Sequence, residues 1–396
     1  MDRRYFLHGA TVTAGTLAGL AAAPLARAQA PGLSAALSER GSILATRGTI
    51  TSRPLSRNAA PAPGQRYRPA FRFGMGGTQI GNIFAAISDA QAQAVLQAAW
   101  DAGVRHFDTS PFYGYGLSEY RLGHFLRGRN PDDYVVSTKV GRVLQARRGA
   151  LPNAALWVQP APMAYRYDFT AAGARRSVED SLQRLGLPKI DIVYIHDLSP
   201  DNVELPGQWR DHFAIAAGAG GAMGELARMR EQGLIGGWGF GINTPDAAVL
   251  AAESDVPTPD VVLLACQYSL LDHENALSRT FPVLQRKGIS VVVGTPLNDG
   301  FLGGRSRYHF SDQIPAGAAD RRARLVVLAD RHGIDIRTAA LQFAAAPAVV
   351  SAIIPGARVP GQVKANADSM RVAIPAAFWE SLRREALISP QAPIPV

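Results

Sequence analysis

Four side chains in this sequence could move a proton together: Asp108, Tyr113, Lys139 and His196. Asp108 ends the apolar run 104–108, Lys139 ends 134–139 and His196 ends 190–196, while Tyr113 lies five residues past Asp108. These types suit carbonyl–alcohol interconversion by hydride transfer. A hydride arriving at a carbonyl carbon leaves an alkoxide that needs a proton, and the reverse reaction needs that proton removed. A phenol can do both, but its free pKa is about 10, and reaching about 7.5 takes roughly 3.4 kcal/mol of phenolate stabilisation. The expectation is that the Lys139 ammonium supplies it, with Asp108 holding the lysine and His196 donating a hydrogen bond to the substrate oxygen. This chemistry needs no metal and no covalent nucleophile. Singly, each residue has an ordinary alternative: a solvated lysine, a structural histidine, an aspartate stabilising the turn at 109–111. The case rests on four complementary groups at three successive strand ends.

Strands carrying such residues at their ends must be parallel and joined by helical crossovers. From residue 71 onward short apolar runs alternate with helical stretches. The runs fall at 72–76, 104–108, 134–139, 190–196, 235–242, 261–267, 289–294 and 349–354. Eight βα units predict an α/β fold, a single (β/α)8 TIM barrel with an N-terminal hairpin and an extra C-terminal helix. The rival, an open doubly wound sheet, calls for G-x-G-x-x-G after a strand. Gly74-Met75-Gly76 leads only to Gln79, and Gly239-Phe240-Gly241 leads to Thr244, so the third glycine is absent.

Composition agrees. The chain has 396 residues, 47% hydrophobic and 18% charged. Its formal charge of +9 comes from scattered Lys and Arg with no nucleic-acid-binding motif, which favours a phosphate-bearing ligand over nucleic acid. One cysteine, Cys266, excludes an internal disulfide and thiol–metal clusters; in its apolar run it reads as a buried small hydrophobe. Outside the N-terminus no apolar run reaches the length of a membrane span.

The first 28 residues read as an address. Arg3-Arg4-Tyr5-Phe6-Leu7, a weakly apolar stretch over 9–25 and Ala26-Arg27-Ala28 resemble a twin-arginine export signal. The expectation is therefore a periplasmic protein handled by the twin-arginine machinery, with a cytoplasmic location as the alternative. Residues 29–70 read as a linker and N-terminal hairpin, 71–388 as the barrel and 389–396 as a tail.

The run Val104-Arg105-His106-Phe107-Asp108-Thr109-Ser110-Pro111-Phe112-Tyr113-Gly114 resembles the signature of the aldo-keto reductase family. Ser137-Thr138-Lys139-Val140-Gly141 and Tyr194-Ile195-His196-Asp197 are similar to its lysine and histidine strands. The resemblance covers roughly residues 71–388. Within the family the chain is similar to the aldose 1-dehydrogenase branch, with L-fucose and pyridoxal dehydrogenases, through Tyr165-Arg166-Tyr167-Asp168-Phe169 and Ile354-Pro355-Gly356-Ala357-Arg358. The resemblance implies Tyr113 as general acid/base and NADP or NAD as cofactor. It further implies an aldehyde, sugar or cyclic hemiacetal as substrate, a carbonyl being interconverted with an alcohol or a hemiacetal with a lactone.

By the same resemblance Arg358, Gln362 and Asn366 face the adenosine half of the cofactor, Asn243 its carboxamide, and Gln267 and Thr295 are further contacts, while Gly356 before a helix start allows close backbone approach to phosphate. Two positions depart from the commonest family pattern. Asn243-Thr244 replaces Ser-Asn, and Ala265 stands where a glutamine is usual, with Gln267 beside Tyr268 instead. The long connection 144–168 is expected to bring Trp157 and Tyr165 to the substrate, and 298–319 to fold over the cofactor as a lid. The competing reading is a redox-sensing or regulatory subunit that binds the cofactor with little turnover.

Overall fold

The computed structural model describes residues 46–150 and 156–395. The expected leader at 1–28, and part of the linker after it, lie outside the described residues. Runs such as Ser-Val-Val-Val-Gly bury every residue, as strands covered on both faces must. Eight strands run parallel in one sheet: β1 (Met75–Gly76), β2 (His106–Asp108), β3 (Val135–Val140), β6 (Ile190–His196), β7 (Ile235–Ile242), β8 (Val261–Leu264), β9 (Ser290–Gly294) and β10 (Val350–Ile354). Parallel bridges Phe73–Ile353 and Gly76–Gly356 bring the last strand back to the first, and the sheet forms a nearly closed (β/α)8 barrel. Strands β4 (Arg142–Ala146) and β5 (Met163–Tyr167) form a separate antiparallel ribbon.

Alternation along each strand decides what enters the barrel. Val135, Ile192, Val261, Leu263 and Val292 pack inside it. The next inward layer, toward the C-terminal ends, carries Asp108, Lys139 and His196. From below, an N-terminal hairpin closed by Asn58 N–H to Ala70 O (2.9 Å) and Arg72 N–H to Ser56 O (3.1 Å) packs Tyr67, Ala70 and Phe71 against the same core.

The helices form where caps and apolar faces coincide. Helix Ala171–Leu185 starts with the Thr170 side chain accepting from Gly173 N–H and stops at Gly186, which takes a left-handed φ of 61°. Its buried face, Ala174, Val178, Ser181 and Leu185, follows helical spacing, each large apolar side chain contributing about 1.5–3 kcal/mol. Arg184 on this helix pairs at 2.6 Å with the fully buried Glu119, which also accepts from Thr138 of β3 at 2.7 Å. That contact ties two helices to the strand bearing Lys139.

Three expectations need adjustment. Part of connection 144–168 is the β4–β5 ribbon rather than irregular loop. The connection 197–220, in which the sequence shows no clear period, contains helix Trp209–Ala217. Cys266 is only partly buried, because β8 ends at Leu264 and Cys266 sits in the following turn at φ 62°.

Candidate active site

Asp108 and Lys139 meet inside the barrel mouth, Nζ to Oδ2 at 2.6 Å, with side chains 2% and 1% exposed. Lys139 also donates to Thr109 O at 2.9 Å, and Ser137 donates to the other Asp108 oxygen at 2.7 Å. Burial pulls the ammonium down and the carboxyl up, and the mutual attraction opposes both shifts. At this distance and with these added bonds the ion pair holds. Space for the lysine stem comes from β7: a Cβ at Gly241 would lie 3.2 Å from Lys139 Cε.

Tyr113 hangs over this pair from the turn after β2. The turn packs against residues 79–81 because Gly114 takes φ 62°, where a Cβ would collide with the Gly81 carbonyl. The Lys139 ammonium lies 4.4 Å from the Tyr113 ring centroid, against the ring face. His196 stands on the other side, its ring 5.7 Å from that of Tyr113. Its Nδ1 is 3.2 Å from Ser110 Oγ, which already accepts from Phe112 N–H at 3.0 Å. The Ser110 proton is then best spent on Nδ1, which leaves the histidine proton on Nε2. Burial, Arg142 and Lys139 hold His196 well below its usual pKa, so it is a neutral hydrogen-bond donor.

One electrostatic expectation reverses. The phenol of Tyr113 is pushed well above its ordinary value, first by burial and then by Asp108 and Asp197, with Arg142 opposing. Lys139, bonded to Asp108 at 2.6 Å, does not offset the effect of burial. At neutral pH Tyr113 carries its proton.

A cavity of about 350 Å³ opens above these groups, lined by Tyr113, Lys139, His196, Trp157 and Asp197 among others. Of the other sequence-designated residues, Asn243, Thr295, Gly356, Arg358, Gln362 and Asn366 line it too. Gln267 and Tyr165 do not. Gln267 donates to Asn243 O at 2.7 Å from behind. Tyr165 packs edge-on against Phe112 (centroids 5.6 Å apart) and donates to Glu204 at 2.9 Å. It supports the wall that Phe112 and Trp157 form, because β5 turns its ring outside them.

Arg305 and Arg358 line the same cavity with Arg307 nearby; burial and the two neighbouring guanidiniums pull Arg358 down, and Asp299 opposes them. The Arg358 Nε is buried with no partner among the described residues. An excess of guanidinium over carboxylate in a cavity wall suits phosphate groups, so the residues present fit a nicotinamide dinucleotide. Arg305 and Arg307 come from the 298–319 segment, which Asp272 fastens by accepting from Tyr308 (2.6 Å), Asn298 (2.7 Å) and His309 (2.8 Å). Sequence reasoning passed over these two arginines, and also Arg142 and Ser110. The arginines stand in a glycine-rich stretch with no period, so only proximity reveals their role.

The Aldo/keto reductase family model matches residues 72–385. The chain belongs to the aldo/keto reductase family. Among curated relatives, a D-threo-aldose 1-dehydrogenase from a Pseudomonas species is 34% identical over 325 residues, 80% of this chain and 94% of the relative. A pyridoxal 4-dehydrogenase from Microbacterium luteolum is 35% identical over 329 residues, with 80% and 94% coverage. An aldo-keto reductase from Bacillus halodurans, solved in holo form, shares the fold at TM-score 0.60 and 21% identity, over 87% of this chain and 99% of that one. This aldo/keto reductase is accordingly an NAD(P)-dependent oxidoreductase of carbonyl compounds.

Proposed function

We propose that this aldo/keto reductase interconverts a sugar-like cyclic hemiacetal and its lactone, with Tyr113 as the proton-transfer residue. One observation carries the reading: the rings of Tyr113 and His196 stand 5.7 Å apart in the cavity lining, beside the Lys139–Asp108 pair. A single substrate oxygen can reach both. The relatives named for aldose and pyridoxal act on molecules that close into hemiacetals, which supports the choice of substrate. A nicotinamide dinucleotide held in this cavity would supply a hydride acceptor for oxidation or a hydride donor for reduction.

The chain's own residues handle the oxygen. His196 Nε2–H holds it by a hydrogen bond, and the Lys139 ammonium raises the local potential, which favours the negative charge that develops there. In oxidation the hemiacetal O–H proton passes to the Tyr113 phenolate as its carbon loses a hydride; in reduction the neutral phenol returns it. Trp157 and Phe112 pack 5.3 Å apart edge-to-face and form an apolar wall that limits water beside the reacting carbon. The test is a panel of aldoses, pyridoxal and simple aldehydes with NADP⁺ and NAD⁺, with lactone trapped by hydroxylamine. Lactone formation from a hemiacetal substrate is expected. Turnover of open-chain aldehydes alone, with no trapped lactone, contradicts the reading.

A further inference from the structure

Beside His196 lies a carboxylate that the proton-transfer chemistry leaves unused. Asp197 follows β6 at φ 46°, a left-handed conformation uncommon outside glycine and retained where surrounding structure enforces it. Its Oδ2 accepts from Arg142 Nη1 at 2.9 Å and stands 3.6 Å from His196 Nε2. Its Oδ1 has no partner among the described residues, and the side chain lines the cavity while remaining 18% exposed.

Arg142 makes this carboxylate rigid. The guanidinium is 3% exposed, lies 4.1 Å from the Phe112 ring centroid and 5.0 Å from that of Tyr167, and donates to the Tyr167 hydroxyl at 3.2 Å. So the β4–β5 ribbon holds the arginine, the arginine holds Asp197, and Asp197 presents an open acceptor next to the substrate-facing nitrogen of His196. A structural ion pair alone would not need to line the cavity with one oxygen left unbonded. Nor does Asp197 charge His196, whose imidazole is held neutral by burial and by Arg142 and Lys139.

We propose that Asp197 is a specificity-determining residue that accepts a hydrogen bond from the hydroxyl vicinal to the reacting carbon. His196 donates to the oxygen on the reacting carbon while Asp197 accepts from its neighbour. Two adjacent substrate oxygens therefore bridge a donor and an acceptor that the protein holds side by side. The site selects 2-hydroxylated substrates over their deoxy counterparts, because a carboxylate left facing apolar C–H loses its bond without a substitute. This inference rests on the oxidoreductase reading above, but not on its hemiacetal detail.

The measurement is the kcat/KM ratio within two substrate pairs, an aldopyranose against its 2-deoxy form and glycolaldehyde against acetaldehyde. In the unaltered protein the hydroxylated member should lead by about 10- to 100-fold, the range of a charge-assisted hydrogen bond. In Asp197→Ala the ratio should fall to within about threefold of unity, with Asp197→Asn, which keeps an acceptor and a partner for Arg142, in between. If Asp197→Ala does not fold, the unaltered protein and Asp197→Asn still give the comparison. Equal losses on both members of a pair, or an unaltered protein that ignores the hydroxyl, overturn the proposal. Discrimination confined to the glycolaldehyde pair, with aldoses inert, supports Asp197 while refuting hemiacetal oxidation.

Discussion

Tyr113 is pulled two ways, and at the residue scale the pull that wins is burial. The expected acidification of the phenol gives way to burial first and then to the Asp108 and Asp197 carboxylates, while Lys139 is held by Asp108 at 2.6 Å. The four residue types were legible because each ends an apolar run. Their protonation states were not, since these depend on ångström distances among three strand ends. The sign of the pH dependence follows. A phenol pKa raised above its ordinary value leaves Tyr113 protonated through neutral and mildly alkaline pH, so reduction should be flat there. Oxidation requires the phenolate and should rise with pH, about tenfold per unit, without levelling below pH 9. Neutral His196 should leave no inflection near pH 6.5. Steady-state profiles in both directions at saturating cofactor test this; an oxidation profile that levels off near pH 7.5 contradicts it.

At the element scale, helices and barrel strands were legible where periodicity and caps agree. Gly333, at φ 71°, ends one helix after Arg331, and Asp335 caps the next through Thr338 N–H at 3.0 Å. The β4–β5 ribbon was not legible, because Arg142 and Arg166 interrupt its alternation and Arg142 is buried only by its cation–π partners and Asp197. Consequently the sequence reading assigned Tyr165, rather than Phe112, to the cavity wall. The 298–319 segment is fastened at Asp272, where burial pulls His309 down but its bond to that carboxylate, together with Cys266, raises it to about 10. A raised histidine contributes stability fully below its unfolded pKa near 6.5, and that contribution disappears as pH rises through about 10. Between those limits the segment should loosen. Protease nicking within 298–319 should increase from pH 6.5 to pH 10, and His309→Gln should cost about 1–2 kcal/mol at pH 6 and much less at pH 10. Equal nicking at both pH values would dissociate His309 from the fastening.

Across the whole molecule, the barrel was readable because a parallel sheet needs helical crossovers, and eight apolar runs separated by helices leave few other closures. Closure itself depends on bridges at Phe73 and Gly76, single contacts that no periodicity announces. The family match over residues 72–385 and the geometry of the strand ends agree on a nicotinamide-dependent oxidoreductase. What the barrel contributes is convergence: β2, β3 and β6 bring an aspartate, a lysine and a histidine under one tyrosine. Comparing Tyr113→Phe with the unaltered protein tests that convergence most directly, with turnover and cofactor affinity measured on the same preparation. Removing one hydroxyl should lower kcat by about 10²- to 10⁴-fold while the cofactor dissociation constant moves less than about threefold. Turnover within tenfold of the unaltered protein would show that another group moves the proton.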